Sequence, residues 1–229
     1  MAASILHKDC WPDWPQWECY AANSAGLVST ALWFTVLLPQ VLKNWYRRSV
    51  VGLSFLWAVA NFTASLVNLF FAFSVQLPLY TRVSAVYMPI LELTILFQFL
   101  IYSHRPVTTR LLAVLACLLM WGTIIELELN LPDSRDKVQW IAIALWSIES
   151  FPQITLNIKR QSTSGQASTS VLIALIGKTT DFLVTYGLLM PLPYVVMCYF
   201  SSSSAFINAF QVSWWDQKVL GWLTIIPIV

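Results

Sequence analysis

Charge is scarce in this chain of 229 residues, where Lys, Arg, Asp and Glu together make only 10% of the sequence. A soluble domain carries nearer a quarter charged residues, so a water-exposed globular surface is excluded. Histidine is almost missing, with His7 and His104 alone. No His-rich metal cluster, Gly-x-Ser-x-Gly or Cys–His arrangement is present to carry catalysis, and neither an enzyme, a metal nor a cofactor is expected. The net charge of +2 is too small to define a nucleic-acid surface. The first 20 residues lack the basic start and cleavage site of a secretory signal, so the first helix is expected to remain in the mature protein.

What the chain has is hydrophobic residues, at 58%, with a mean hydropathy of +0.66. A spanning helix needs about 20 apolar residues. Apolar runs predict helices near 21–43, 53–75, 83–103, 110–129, 138–157, 168–188 and 191–212. The expected architecture is an all-α membrane protein of seven transmembrane helices. Cys117 and Cys198 lie in apolar runs and read as packing residues. Cys10 and Cys19 bracket a Trp- and Pro-rich stretch, where a disulfide and two free thiols are equally open readings.

One pattern occurs twice. Pro39-Gln40, Asn44, Arg47, Ser49 and Gly52 recur as Pro152-Gln153, Asn157, Arg160, Ser162 and Gly165, at an offset of 113. The same offset superimposes Trp33 on Trp146 and Asn68 on Asp181. Such identities at one fixed offset mark an internal duplication. The organisation expected is 3+1+3: a segment at 1–20, a three-helix repeat at 21–103, a linker helix with its loops at 104–137, a second repeat at 138–212 and a tail at 213–229. An even number of helices between copies makes the repeats parallel.

An apolar helix ending in Pro-Gln, a basic loop, and Ser-x2-Gly opening the next helix resemble the PQ-loop family of membrane transporters. That family includes cystinosin and vacuolar amino-acid exporters and, more distantly, the SWEET sugar carriers and the KDEL receptor. The first copy, with Asn44-Trp45, Arg47-Arg48-Ser49 and Gly52-Leu53-Ser54-Phe55, is similar to cystinosin in particular. The resemblance implies a secondary transporter of an amino acid or similar small metabolite, coupled to protons, in a vacuolar or lysosomal membrane. The small-molecule substrate, protons and the lipid bilayer are then its partners. A receptor or scaffold of KDEL-receptor type, and a passive SWEET-like carrier, are the alternatives. One departure bears on substrate: the position nine residues after the second Gly, where cystinosin carries its coupling Asp, is Ala174 here.

The residues suggest where such chemistry would sit. Each motif proline removes a helical donor and clashes with the carbonyl four residues back, at Thr35 and Ile148, so Pro39, Gln40, Pro152 and Gln153 are candidate hinges. Ser54, Asn61, Ser65 and Asn68 recur at helical spacing, and the second repeat answers with Lys178 and Asp181. Asn61, Ser65, Asn68, Lys178 and Asp181 are therefore the candidate substrate residues. A charge at the bilayer centre costs roughly 2.5–3.5 kcal/mol and rarely persists without a partner or a role. Lys178 and Asp181, three apart, are placed to neutralise each other. Asp181, Glu149 and Glu92 are candidate proton sites, whereas Glu126 and Glu128 read as solvated. Eight Lys or Arg in the motif-side loops and tail against four opposite predict a lumenal N-terminus and a cytosolic C-terminus.

Overall fold

The computed structural model describes residues 10–11, 13–74, 79–130, 135–148, 150–190 and 192–223. Its helices are α1 (Gln16–Val36), α2 (Leu38–Arg47), α3 (Phe55–Ser74), α4 (Leu79–Tyr102), α5 (Val107–Asn130), α6 (Arg135–Ile148), α7 (Ser150–Arg160), α8 (Ser168–Gly187) and α9 (Leu192–Leu223). Helices α1 and α2 form one span, interrupted at Leu37, and α6 and α7 are grouped as another around Glu149, so these segments make seven transmembrane units. Among the described residues five spans are long and apolar enough to cross a membrane without further argument: Gln16–Arg47, Phe55–Ser74, Thr81–Tyr102, Val107–Asn130 and Tyr194–Trp215. Of the other two, α8 carries Lys178 and Asp181, and α6–α7 includes Glu149, outside the described residues.

The interruption of the first span falls where proline chemistry demands. The first span is interrupted at Leu37, within the turn before Pro39; in the second, α6 and α7 flank Glu149, which lies outside the described residues. The predicted clash at the Thr35 carbonyl lies beside this interruption.

The two repeats interlock. The second helix of each packs on the third helix of its own repeat and on the first helix of the other, so α8 lies on α9 and α1, and α3 on α4 and α6. Small residues let α1 and α8 approach closely; a Cβ added at Gly187 would lie 2.5 Å from that of Ala22. The linker α5 packs on α3, where Trp121 meets Phe62 edge-on at 4.5 Å and donates to the Thr63 hydroxyl at 2.9 Å. Its other face, including Leu111, Leu112, Leu118 and Leu119, is exposed. Polar side chains such as Gln40, Asn44, Gln139, Gln153 and Asn157 are buried instead. That inverted distribution suits lipid as the surrounding solvent.

The ends of the chain extend the predicted boundaries. Helix α1 starts at Gln16, not near 21, so Cys19 lies inside it, and α9 continues to Leu223. Cys10 and Cys19 form a disulfide. It holds the preceding segment against the end of α8, where Trp11 Nε1 donates to the Tyr186 carbonyl at 3.3 Å and the Trp14 and Tyr186 rings meet. Cys117 and Cys198 are buried free thiols. Glu128 is only 1% exposed, which corrects the expectation that it is solvated: the end of α5 turns it inward.

Candidate functional site

At the motif end the duplication becomes a pair of matching hydrogen-bond networks. Gln40 Nε2 donates to the Asn44 side chain at 2.9 Å and across the repeats to the Gly165 carbonyl at 3.2 Å, while its Oε1 accepts the Ala167 amide at 2.7 Å. Gln153 does the same in reverse, donating to Asn157 at 2.9 Å and to the Gly52 carbonyl at 3.0 Å, and accepting the Ser54 amide at 2.9 Å. Asn44 donates on to Gln98 Oε1 at 2.8 Å, and Asn157 to Gln211 Oε1 at 3.0 Å. Gln98 and Gln211 return to the Val41 and Ile154 carbonyls, at 2.9 and 3.3 Å.

All these side chains are buried, where an unmade hydrogen bond is costly, so each network fixes its bent span to the third helix and to the opposite repeat. Backbone shape is duplicated too. The helices before the loops end on left-handed residues, Arg48 (φ 47°) and Gln161 (φ 48°). Gly52 has φ 99°, which favours glycine, and it lies against Gly165 so closely that a Cβ on either would meet backbone at 2.5 Å or less. Lys43 donates to the Gln166 carbonyl, and Arg47 to that of Ser164 at 2.7 Å. This end of the bundle is closed.

Between this closure and the opposite end lies a cavity of about 140 Å³. Asn61, Ser65, Asn68, Glu92, Lys178 and Asp181 all line it, joined by Ser29, Trp33, Trp146 and Tyr194. The two polar stripes thus meet across the repeat interface. Ser54 does not belong to that stripe. It precedes α3, and its Oγ accepts the Trp57 amide at 3.2 Å as a helix cap.

The charged pair is more elaborate than mutual neutralisation. Asp181 accepts the Ser29 hydroxyl at Oδ1 and the Trp33 indole N–H at Oδ2, the latter at 3.0 Å. The Lys178 ammonium lies over the same indole, 4.9 Å from the ring centroid, and attracts Asp181 electrostatically. Trp33 therefore serves both charges, one with its edge and one with its face. At the equivalent position of the first repeat, Asn68 Oδ1 accepts from the Tyr194 hydroxyl and from Gln139 Nε2 at 3.4 Å. Each repeat places a polar acceptor on its second helix and a donor on the first helix of the other; the second repeat alone makes that acceptor an acid.

Glu92 is 3% exposed and faces the same cavity. Glu149 lies outside the described residues. Pro39 and Gln40 follow the interruption at Leu37, and Pro152 and Gln153 lie in the first turn of α7. Sequence reasoning used Trp33 and Trp146 only as markers of the repeat and missed Ser29 and Tyr194. It also missed Gln98 and Gln211, although their spacing is the same 113 residues.

Fold and site together define a multi-pass membrane protein built of two parallel three-helix repeats around a buried, charged cavity. The PQ-loop repeat family matches residues 21–81 and 137–192, which together exceed half of the chain. The chain belongs to that family. Among curated proteins it is 26% identical to cystinosin of Bos taurus over 184 residues, covering 69% of this chain and 50% of that protein. It is 25% identical to a cystinosin homolog of Arabidopsis thaliana over 186 residues, covering 69% of this chain and 68% of that one. The match thus spans about half the length of the bovine relative.

Proposed function

We propose that the protein is a secondary transporter that moves an amino acid or similar small metabolite across a vacuolar or lysosomal membrane, coupled to protons, by alternating access. The observation that carries this reading is the cavity itself. It holds Lys178, Asp181 and Glu92 at the interface of two repeats whose motif end is closed by matched, breakable hydrogen bonds. A static scaffold has no use for three ionisable groups around one cavity, given the cost of each in a membrane. A passive sugar carrier has no use for a Lys–Asp pair. The kinship with cystinosin and its plant homolog supports the same class.

In this reading Asn61, Ser65, Asn68, Lys178 and Asp181 bind the substrate. Asp181 is the leading proton carrier, with Glu92 and Glu149 as further candidates, and Pro39-Gln40 and Pro152-Gln153 are the hinges. The N-terminus is lumenal and the motif end faces the cytosol, a reading that the excess of Lys and Arg in the motif-side loops supports. Uptake into proteoliposomes tests the proposal. Amino acids and sugars are supplied with and without an imposed pH gradient; an amino acid accumulated only with the gradient is the expected result. Gradient-independent sugar equilibration, or no uptake of either class, would overturn it.

A further inference from the structure

The closed motif end gathers positive charge. Arg47 and Arg48 stand at the end of α2, Lys159 and Arg160 at the end of α7, and all four are exposed. The loops at 43–52, 103–109 and 158–167 contain no Asp or Glu, and the tail beyond Gln211 adds one side chain of each sign, Asp216 and Lys218. Two of the arginines reach across the repeat interface. Arg47 Nη1 donates to the Ser164 carbonyl at 2.7 Å, and a guanidinium nitrogen of Arg160 lies 3.7 Å from the point where a Cβ on Gly52 would sit. Ser164 adjoins Gly165, which packs on Gly52, so both cations border one backbone contact. Among the described residues no carboxylate answers them: Arg47 spends a donor on a carbonyl, and Arg48 lies over the Trp45 ring, 5.2 Å from its centroid. Like charges crowded at one contact oppose its closure, and an anion placed between them favours it.

The surroundings indicate which kind of anion. Leu42, Trp45 and Tyr46 are exposed at positions i, i+3 and i+4 of α2, beside Arg47 and Arg48. Exposed Trp and Tyr at the end of a spanning helix belong at the headgroup level of a bilayer. The neighbouring cations are thereby presented to lipid headgroups. A phosphate monoester carries a charge of about −1.5 to −2 and three acceptor oxygens, enough to receive the forks of two arginines.

We infer that the closed motif end is a docking surface for an anionic lipid of the adjoining leaflet whose headgroup ends in a phosphate monoester. The phosphate bridges Arg47 and Arg160 and so joins the two repeats across the Gly52–Gly165 contact. The acyl chains lie along Leu42, Trp45 and Tyr46. The second repeat has Ile158 and Lys159 where the first has Trp45 and Tyr46, so the lipid has one preferred flank. Bound in this way, it holds the motif end closed.

The test uses purified full-length protein in phosphatidylcholine nanodiscs. These contain rising fractions of phosphatidylinositol 4-phosphate, or of phosphatidylserine at matched total charge, and the thermal unfolding midpoint is followed. The monoester lipid should raise the midpoint well above the serine lipid. Arg160→Gln changes an exposed side chain, so the variant should unfold as wild type in phosphatidylcholine alone. The fraction of monoester lipid giving half the shift should rise about tenfold, the scale of a hydrogen bond to a charged group. Replacing Arg47 and Arg160 together with Gln should erase the difference between the two lipids. Equal shifts from both lipids would reduce the surface to a diffuse field. The same shift from inorganic phosphate added to pure phosphatidylcholine discs would assign it to a soluble anion. A shift unchanged in the double variant would place the lipid elsewhere. Each of these results, and the absence of any shift, would overturn the inference. Nanodiscs offer the lipid in both leaflets, and no substrate or gradient is supplied, so the outcome is independent of transport and of orientation.

Discussion

Gly165→Ala puts the closure of the motif end to a direct steric test. The backbone of Gly165 is not in the left-handed region, so alanine fits its local conformation, whereas Gly52, at φ 99°, would add strain of its own. The new Cβ would lie 2.2 Å from the Gly52 carbonyl carbon, 2.3 Å from its Cα and 2.5 Å from its oxygen. Backbone atoms cannot rotate away. Ordinary carbon contacts begin near 3.5 Å, so the loops must part by roughly 1.3 Å. That movement disturbs four hydrogen bonds between the repeats: Gln40 donates to the Gly165 carbonyl and accepts from the Ala167 amide, and Gln153 donates to the Gly52 carbonyl and accepts from the Ser54 amide. At about 0.5–1.5 kcal/mol each, their loss disfavours the closed end by about 2–6 kcal/mol. Even the lower figure changes the ratio of closed to open molecules about thirtyfold. Spin labels at Val51 and Ser164, both exposed, would report the separation of the loops. The label distances should shift to longer values in a protein that still folds. A folded Gly165→Ala protein with wild-type distances would refute the claim that this contact sets the closed state.

Pro39→Ala and Pro152→Ala each restore the helical donor that proline lacks, and should lower transport at near-normal expression; full uptake in both single variants would leave the prolines without a hinge role. Cys10→Ser or Cys19→Ser opens a disulfide spanning nine positions, and should lower stability by about 2.7 kcal/mol on the chain-entropy estimate. Thermal unfolding with and without reductant checks this, and a midpoint insensitive to reductant would count against the disulfide as a brace of the α1–α8 end.

The architecture was open to sequence reasoning for a physical reason. A bilayer forces long apolar runs, and Pro-Gln at one spacing in two such runs exposed the repeat before any contact was known. The convergence of Asn61, Asn68, Lys178 and Asp181 was also readable, since helical periodicity places them on one side of their helices. Partners were not. Nothing in spacing says that the Trp33 indole bonds Asp181 while its face carries Lys178, because tryptophan in an apolar helix has no periodic signature of its own. Ser54 shares the period of the stripe, but a helix boundary falls just after it and turns it into a cap. Gln98 and Gln211 were available at the repeat offset and went unread because they lie far beyond the motif. The start of α1 was hidden by Trp14-Pro15-Gln16-Trp17, which reads as a loop although proline is well placed immediately before a helix. Glu128 looked solvated because the end of an apolar run was taken as the end of burial.

The central claim is that Asp181 carries the coupling proton beside a substrate held at Lys178. Gradient-driven accumulation and substrate exchange, measured side by side in proteoliposomes, test it most directly. Asp181→Asn, which mimics the protonated acid, should retain exchange and lose accumulation driven by the pH gradient. Replacing Lys178 and Asp181 together with apolar residues should abolish accumulation even in a well-folded protein. Wild-type accumulation by that folded double variant would contradict the account and reduce the pair to a structural one.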